Sequence, residues 1–216
     1  MYIPEHFRVE ERETAIGFMR ANPFAILVSD TAEGPFATHV PVVIREQGDQ
    51  ILVRGHVAQA NPHWKYLRED SNTLIIFHGP HAYISPSNYS AQENVPTWNY
   101  GAVHVYGSAR AFSETEQLLT MLHDLIPTFE AAYEAQWNSL SETYRMRMLK
   151  HIVGFELRVA RIEAKFKLSQ NRTRDEQQNV IDSLSSAVDS AVSGTARLMC
   201  EHGLGTQRIK ISKEER

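Results

Sequence analysis

The segment Arg54-Gly55-His56-Val57-Ala58-Gln59-Ala60-Asn61-Pro62 combines residue types suited to holding an anion. Its order suggests a strand end, a glycine that permits close backbone approach, and an Asn-Pro pair that starts a helix. Unpaired N–H groups at such a start, with Arg54 and His56 beside them, would favour a phosphate. A second constellation runs from His78-Gly79-Pro80-His81-Ala82-Tyr83 through Trp98-Asn99-Tyr100 to His104-Val105-Tyr106. Aromatic rings with polar tips, set among prolines and glycines, suit a shaped pocket better than a plain apolar layer. A third, Lys165-Phe166-Lys167-Leu168-Ser169-Gln170-Asn171-Arg172, alternates cations with apolar residues before turning polar, as a ligand-contacting loop would. Six of the ten histidines fall between His39 and His104. Their spacing contains no HExxH pattern, so no metal is expected. There is no GxSxG nucleophile elbow, and no catalytic acid–base pair can be recognised from spacing.

The elements that must position these residues follow from periodicity. Glu10 to Ala21 reads as an amphipathic helix ended by Asn22-Pro23. Phe24 to Ser29 is a short apolar strand, and Phe36–Arg45 with Gln50–Val57 forms a hairpin around Gly48-Asp49. A helix is expected from Pro62 to about Glu69. Two strands follow, Asn72–Phe77 and His81–Ser85, separated by a Gly79-Pro80 turn, and a further turn is expected at Trp98-Asn99-Tyr100. From Val103 to Ala111 hydrophobic and polar residues alternate, so His104, Tyr106, Ser108 and Arg110 share one face. Ser113-Glu114-Thr115-Glu116 reads as a capping box opening a helix in which Pro127 marks a kink or break. Val153 to Val159 is a last strand, and Asp175 to Val192 a single helix stopped by Gly194. Strands in hairpin order with one returning late predict a mainly β, six-stranded antiparallel barrel with peripheral helices. The absence of βαβ alternation and of glycine-rich phosphate loops disfavours Rossmann and P-loop folds.

Composition narrows the classes further. The chain has 216 residues, 42% hydrophobic and 22% charged, as an ordinary globular protein does. No apolar run is long enough to span a membrane. Met1-Tyr2-Ile3-Pro4-Glu5-His6 has neither region of a signal peptide, so a cytoplasmic protein is expected. The single cysteine, Cys200, leaves no internal disulfide or CxxC pair. The net charge of −4 conceals an asymmetry: residues 1–149 carry 10 basic against 17 acidic side chains, residues 150–216 carry 12 against 9. The basic excess lies between Arg158 and Arg174, where a phosphate-bearing ligand or nucleic acid would be drawn.

Six ordered blocks of this sequence resemble the PaiB-like family of FMN-binding negative transcriptional regulators. They are Thr38-His39-Val40-Pro41, Gly55-His56…Ala58…Ala60-Asn61-Pro62, Phe77-His78-Gly79-Pro80…Tyr83-Ile84-Ser85-Pro86, Val95-Pro96-Thr97-Trp98-Asn99-Tyr100, Val103-His104-Val105-Tyr106-Gly107 and Lys167-Leu168-Ser169-Gln170-Asn171. The likeness runs from Tyr2 to about Arg172. It implies a split barrel of the pyridoxamine-phosphate-oxidase type over residues 1–172, including the helical segment 113–149, with a helical extension over 173–216. It also implies a homodimer with FMN at the subunit interface. In that arrangement Thr38, His39, Val40 and Pro41 border the isoalloxazine, while Arg54, His56, Ala58 and Asn61 take the phosphate. Trp98, Asn99 and Tyr100, with Lys167 and Gln170, line or close the pocket. Gln59 stands where the family has a basic residue, a loss of about 1.5–3 kcal/mol if one charge-assisted bond is not replaced. Asn88 stands where the family has a tryptophan.

The resemblance implies regulation of gene expression. DNA contact would have to come from the Arg158–Arg174 stretch, since no helix-turn-helix pattern is present. An FMN-dependent oxidoreductase using a nicotinamide donor, or a haem-handling split barrel, are the alternative functions.

Overall fold

The computed structural model describes residues 1–69 and 72–206. The charged tail Lys210–Arg216 lies outside the described residues. Six strands form a closed barrel: β1 (Phe24–Ser29), β2 (Phe36–Gln47), β3 (Gln50–Ala58), β4 (Asn72–Ile84), β5 (Thr97–Phe112) and β6 (Ile152–Lys167), in the order β1-β2-β3-β6-β5-β4. Among the described residues six α-helices accompany them: α1 (Arg12–Ala21), α2 (Thr115–Glu130), α3 (Tyr133–Ser139), α4 (Glu142–Leu149), α5 (Arg174–Ser185) and α6 (Ser190–Glu201). The antiparallel six-stranded barrel is the fold expected from the sequence. No helix among the described residues is long and apolar enough to cross a membrane.

The described chain divides into two compact units. One contains residues 11–77 and 103–163, the other residues 1–10, 78–102 and 164 onward. In the first unit, Gly48 at φ 58° closes the β2–β3 hairpin, and the register aligns Val42 with Gly55 and Gln47 with Gln50. The outer face of the barrel there is covered by helices, with Val43 and Phe112 packed against Leu118, Met121, Leu125 and Leu149. The Asn22 side-chain amide donates to the Phe18 carbonyl at 2.8 Å and ends α1 where the Asn-Pro pair predicts. In the second unit, Phe166, Leu168, Val180, Ile181, Leu184 and Met199 are buried, as are Ala82 and Ile84.

Several local expectations differ from the structure. The helix expected at Pro62–Glu69 is one 3₁₀ turn, Pro62–Tyr66, because Leu67 is already extended. Gly79-Pro80 is not a turn, and β4 runs through it. Thr73, Ile75, Phe77 and Gly79 are buried, then Ala82 and Ile84, so the strand changes face by one residue, as at a β-bulge. Pairing with β1 covers only Leu74 to Ile76, so Pro80 lies past that ladder. Trp98-Asn99-Tyr100 is likewise strand, the opening of β5.

The capping box expected at Ser113 is not formed, since α2 starts after Glu114 without a side-chain cap. The box occurs instead at Thr173 and Glu176, opening α5. Pro127 lies within α2, which continues to Glu130. The single helix expected over Asp175–Val192 is two, with Asp189 capping α6 through the Ala191 N–H. Gly194 does not stop a helix. It lies inside α6, where an added Cβ would come 3.1 Å from Pro80.

Candidate functional site

The residues singled out from the sequence fall into two groups, one in each unit. In the first, strand alternation places neighbouring motif residues on opposite faces. Val40 is buried inward, while His39 is exposed on the outer face, stacked against Phe24 with ring centroids 6.0 Å apart. Thr38 points to the same side as Val40, and Pro41 to the side of His39. Arg54, His56 and Ala58 share the outer face of β3, alternating with buried Val53, Gly55 and Val57.

Thr38 and Asn61 are brought together by His63, one of the six clustered histidines, whose spacing favours hydrogen bonding or packing over a metal. His63 is fully buried, with Nδ1 2.8 Å from Thr38 Oγ1 and Nε2 3.1 Å from Ser29 Oγ. The Asn61 amide donates to Thr38 Oγ1 at 3.2 Å, and Asn61 Oδ1 accepts the His63 N–H at 3.0 Å. This network fixes the β3 exit against β2. Asn61 therefore spends its carbonyl on capping a single turn, which differs from the open helix start expected there. Nothing in local spacing shows this, because Ser29 and Thr38 lie 34 and 25 residues from His63.

Burial lowers the His63 pKa from 6.5 to about 4, so the ring is neutral in the folded protein at pH 7. Between these values the unfolded chain binds the proton that the folded one refuses. His63 is consequently expected to cost no stability above pH 6.5 and to destabilise progressively as pH falls toward 4, by about 3 kcal/mol at the limit. Urea unfolding of the parent and of His63→Gln at pH 7 and pH 4.5 checks this. The parent should lose more stability than the variant over that interval, and equal losses would refute the assignment.

Arg54 is not available as a free cation. Its guanidinium reaches Glu156 at 2.6 Å and Asp124 at 3.3 Å. Glu156, only 4% exposed, also accepts from Arg110 at 3.2 Å, and Arg45 pairs with Asp124. Beside Arg54 on β3, His56 presents a buried Nδ1 with no hydrogen-bond partner, and burial lowers its pKa. A buried ring nitrogen of this kind calls for a partner that the polypeptide does not supply. Ala58 is exposed next to it, as is Gln59. This face therefore fits a polar ligand with hydrogen-bonding edges, such as a flavin phosphate or ribityl chain.

In the second unit Trp98 is 51% exposed on β5, and its ring meets His81 at 6.0 Å and Tyr83 at 6.2 Å. Tyr100 lies 5.2 Å from the Lys165 ammonium. The Lys167 ammonium donates to the Trp98 carbonyl at 2.8 Å and to Thr97 Oγ1. Asn99 and Gln170 have other duties. Asn99 is fully buried and donates to Ser169 Oγ at 3.0 Å, while Gln170 accepts the Leu168 N–H at 2.7 Å and donates to the Phe166 carbonyl at 2.5 Å. Together they hold a turn in which Ser169 adopts φ 66°, a left-handed conformation that costs energy outside glycine. Asn88 folds onto the Ser85 carbonyl at 3.0 Å. Among the described residues no three His, Cys, Asp or Glu side chains cluster so as to hold a metal ion.

Comparison with known proteins agrees with this architecture. Residues 1–161 match the family described as "Putative FMN-binding domain". The chain is 39% identical over 201 residues to "Protease synthase and sporulation protein PAI 2" of Bacillus subtilis, covering 92% of this chain and 96% of that protein. Among solved structures it resembles the flavocytochrome Anf3 of Azotobacter vinelandii, with TM-score 0.59 and 16% identity, covering 77% of this chain and 72% of that one. It also resembles the FAD and heme binding protein of Mycobacterium smegmatis, with TM-score 0.57 and 14% identity, covering 79% and 78%. At such identities the two structures speak for the fold alone, a split barrel. The sequence match over three quarters of the chain does more: this protein belongs to the family described as a putative FMN-binding domain.

Proposed function

We propose that this chain is a flavin-dependent regulator: an FMN-binding homodimer that lowers expression of target genes, with the cofactor at the subunit interface. The observation that carries the reading is the near full-length likeness to a relative named for sporulation. FMN is the cofactor its family membership brings. The outer face of β3 would receive the phosphate at His56, with Ala58 leaving room and Thr38 and Asn61 held in place by His63. His39 and Pro41 would border the ring system. When bound, FMN supplies one- or two-electron redox chemistry or simply a redox-sensitive shape.

Direct DNA binding receives little support from the basic stretch. Lys165 is over Tyr2 and Tyr100, Lys167 is bonded to β5, and Arg172 is stacked on Tyr89. Arg174 donates to the Gly203 and Gly205 carbonyls. Arg158, Arg161 and Arg174 are exposed, but Arg161 pairs with Glu163, so the outward charge is thin for a phosphate-backbone footprint. Regulation through a protein partner or a flavin-controlled conformation is therefore the form we favour.

Titration of the purified protein with FMN, followed by absorbance at the flavin bands and by size exclusion, tests the proposal. We expect binding tighter than about 100 μM, about 5.5 kcal/mol, and elution as a dimer. Failure to bind FMN at that level would remove the cofactor role. A Soret band on adding haem to the same sample would shift the assignment to the haem-handling alternative. Bleaching of bound flavin by a nicotinamide donor, with turnover, would favour the oxidoreductase.

A further inference from the structure

The second unit holds one buried lysine and two half-buried cations close to one another. Lys165 is 8% exposed, and its ammonium donates to the Tyr2 carbonyl at 3.3 Å while lying over the Tyr2 and Tyr100 rings. Lys167, two residues on, has only the Trp98 carbonyl and Thr97 hydroxyl as acceptors. Among the described residues neither lysine has a carboxylate partner. Burial and then the charge of Lys165 lower the Lys167 pKa. Arg172 is stacked 3.9 Å from the centre of the Tyr89 ring and donates to Asn94 at 2.9 Å. The one nearby carboxylate that acts on it, Glu176, already accepts the Ser90 N–H at 3.0 Å and the Thr173 N–H at 3.3 Å. Lys167 and Arg172 are half-buried, and a bound anion would offset the cost of their partial removal from water.

A cavity of about 250 Å³ opens beside two of these cations. Lys167 and Arg172 border it, and Phe7, Tyr89, Val95 and Pro96 supply an apolar wall. No acidic side chain lines it. The space suits a compact, ring-sized molecule, since drug-sized ligands need roughly 300–1,000 Å³. A bare inorganic ion would leave the apolar wall wetted, whereas a flat carboxylic acid would cover it. Planar carboxylates also match the guanidinium fork.

We infer that this cavity is a binding site for a small organic carboxylate, its charged end between Lys167 and Arg172 and its apolar body against Phe7, Tyr89, Val95 and Pro96. Arg172, Tyr89 and Phe7 belong to none of the positions expected to hold FMN, Lys167 and Asn99 are shared with that expectation, and the titration without FMN tests the site apart from the flavin reading. Such a ligand is a candidate signal for the regulator, a role that rests on the proposed function.

Calorimetric titration of benzoate into the full chain, with and without FMN, tests the inference. Acetate and inorganic phosphate serve as comparison anions. Benzoate should bind saturably with Kd of about 1 mM or tighter, and at least about tenfold better than acetate or phosphate. Arg172→Gln should weaken benzoate by about tenfold, as expected for one lost charge-assisted bond. Val95→Glu provides a variant at a position 74% exposed, where folding is not at stake, and should weaken benzoate by placing a like charge at the cavity mouth. No saturable benzoate binding, or binding that neither substitution weakens, would overturn the site. Phosphate binding as tightly as benzoate would overturn the carboxylate assignment. Because the titration is run both without and with FMN, failure of the flavin reading leaves the result interpretable.

Discussion

Alanine at Gly107 should cost at least about 4 kcal/mol, a large share of the 5–15 kcal/mol that holds a domain folded. Gly107 lies on the inner face of β5, alternating with Val105 and Ala109. A Cβ there would fall within the Arg158 carbonyl oxygen and come 2.8 Å from the carbonyl carbon. Both are backbone atoms of β6, the neighbouring strand, and cannot rotate aside. The two strands would have to part, and the closed barrel would lose its ladder at that point. Urea midpoints and soluble yield measure the effect. Gly17→Ala is the matched comparison: nothing lies within 4 Å of its added Cβ in α1, so it should stabilise by about 0.5–1 kcal/mol. A Gly107→Ala protein as stable as the parent would show that the strands do not approach so closely.

The second large effect is expected at Glu156. Its carboxylate joins Arg54 to Arg110 on the covered outer face of the barrel, and Arg110 also donates to Gln117 on α2 at 3.0 Å. Glu156→Gln removes the charge while both guanidinium groups stay. Breaking a buried pair in this way costs about 3 kcal/mol, the lower end of the usual range, because Arg54 keeps Asp124 while Arg110 loses its carboxylate. Combining Glu156→Met with Arg54→Met should recover a substantial part of the loss, since well-packed apolar replacements of buried pairs are often close to neutral. A double-mutant cycle read by urea unfolding measures the coupling. Additive losses in the double variant would mean that the two side chains do not act as a pair.

Arg54 also shows how far local sequence carries and where it stops. Its position before Gly55-His56 and Asn61-Pro62 makes it look like a phosphate ligand. The register of β3 with β6 sets it directly opposite Glu156, 102 residues later in the chain. No local pattern contains that pairing. The same holds for Asn99 and Gln170. Both read as pocket residues from their polar type, yet one is buried against Ser169 and the other ties its own turn together. Conversely, Lys165 read as one of many cations, and only its burial among Tyr2 and Tyr100 sets it apart.

Elements with a clean period were legible. The Val103–Arg110 alternation, the β2–β3 hairpin and the limits of β1 follow from side-chain type alone, because one face of each strand is buried. Glycine and proline misled where their reason was distant. Gly79-Pro80 reads as a turn, but β4 passes through it past the ladder with β1. Gly194 reads as a helix stop, but its missing side chain makes room for Pro80.

Hydrophobic alternation and six ordered motif blocks were enough to specify a six-stranded barrel and an FMN-binding family, since both are properties of local chemistry repeated along the chain. Which charges are free to meet a ligand was decided by folding. Strand register neutralised Arg54, Ser29 and Thr38 enclosed His63, and the end of β6 left Lys165 and Lys167 without carboxylates. Electrostatic balance depends on distances of a few ångströms between residues far apart in sequence, and only the closed barrel sets those distances.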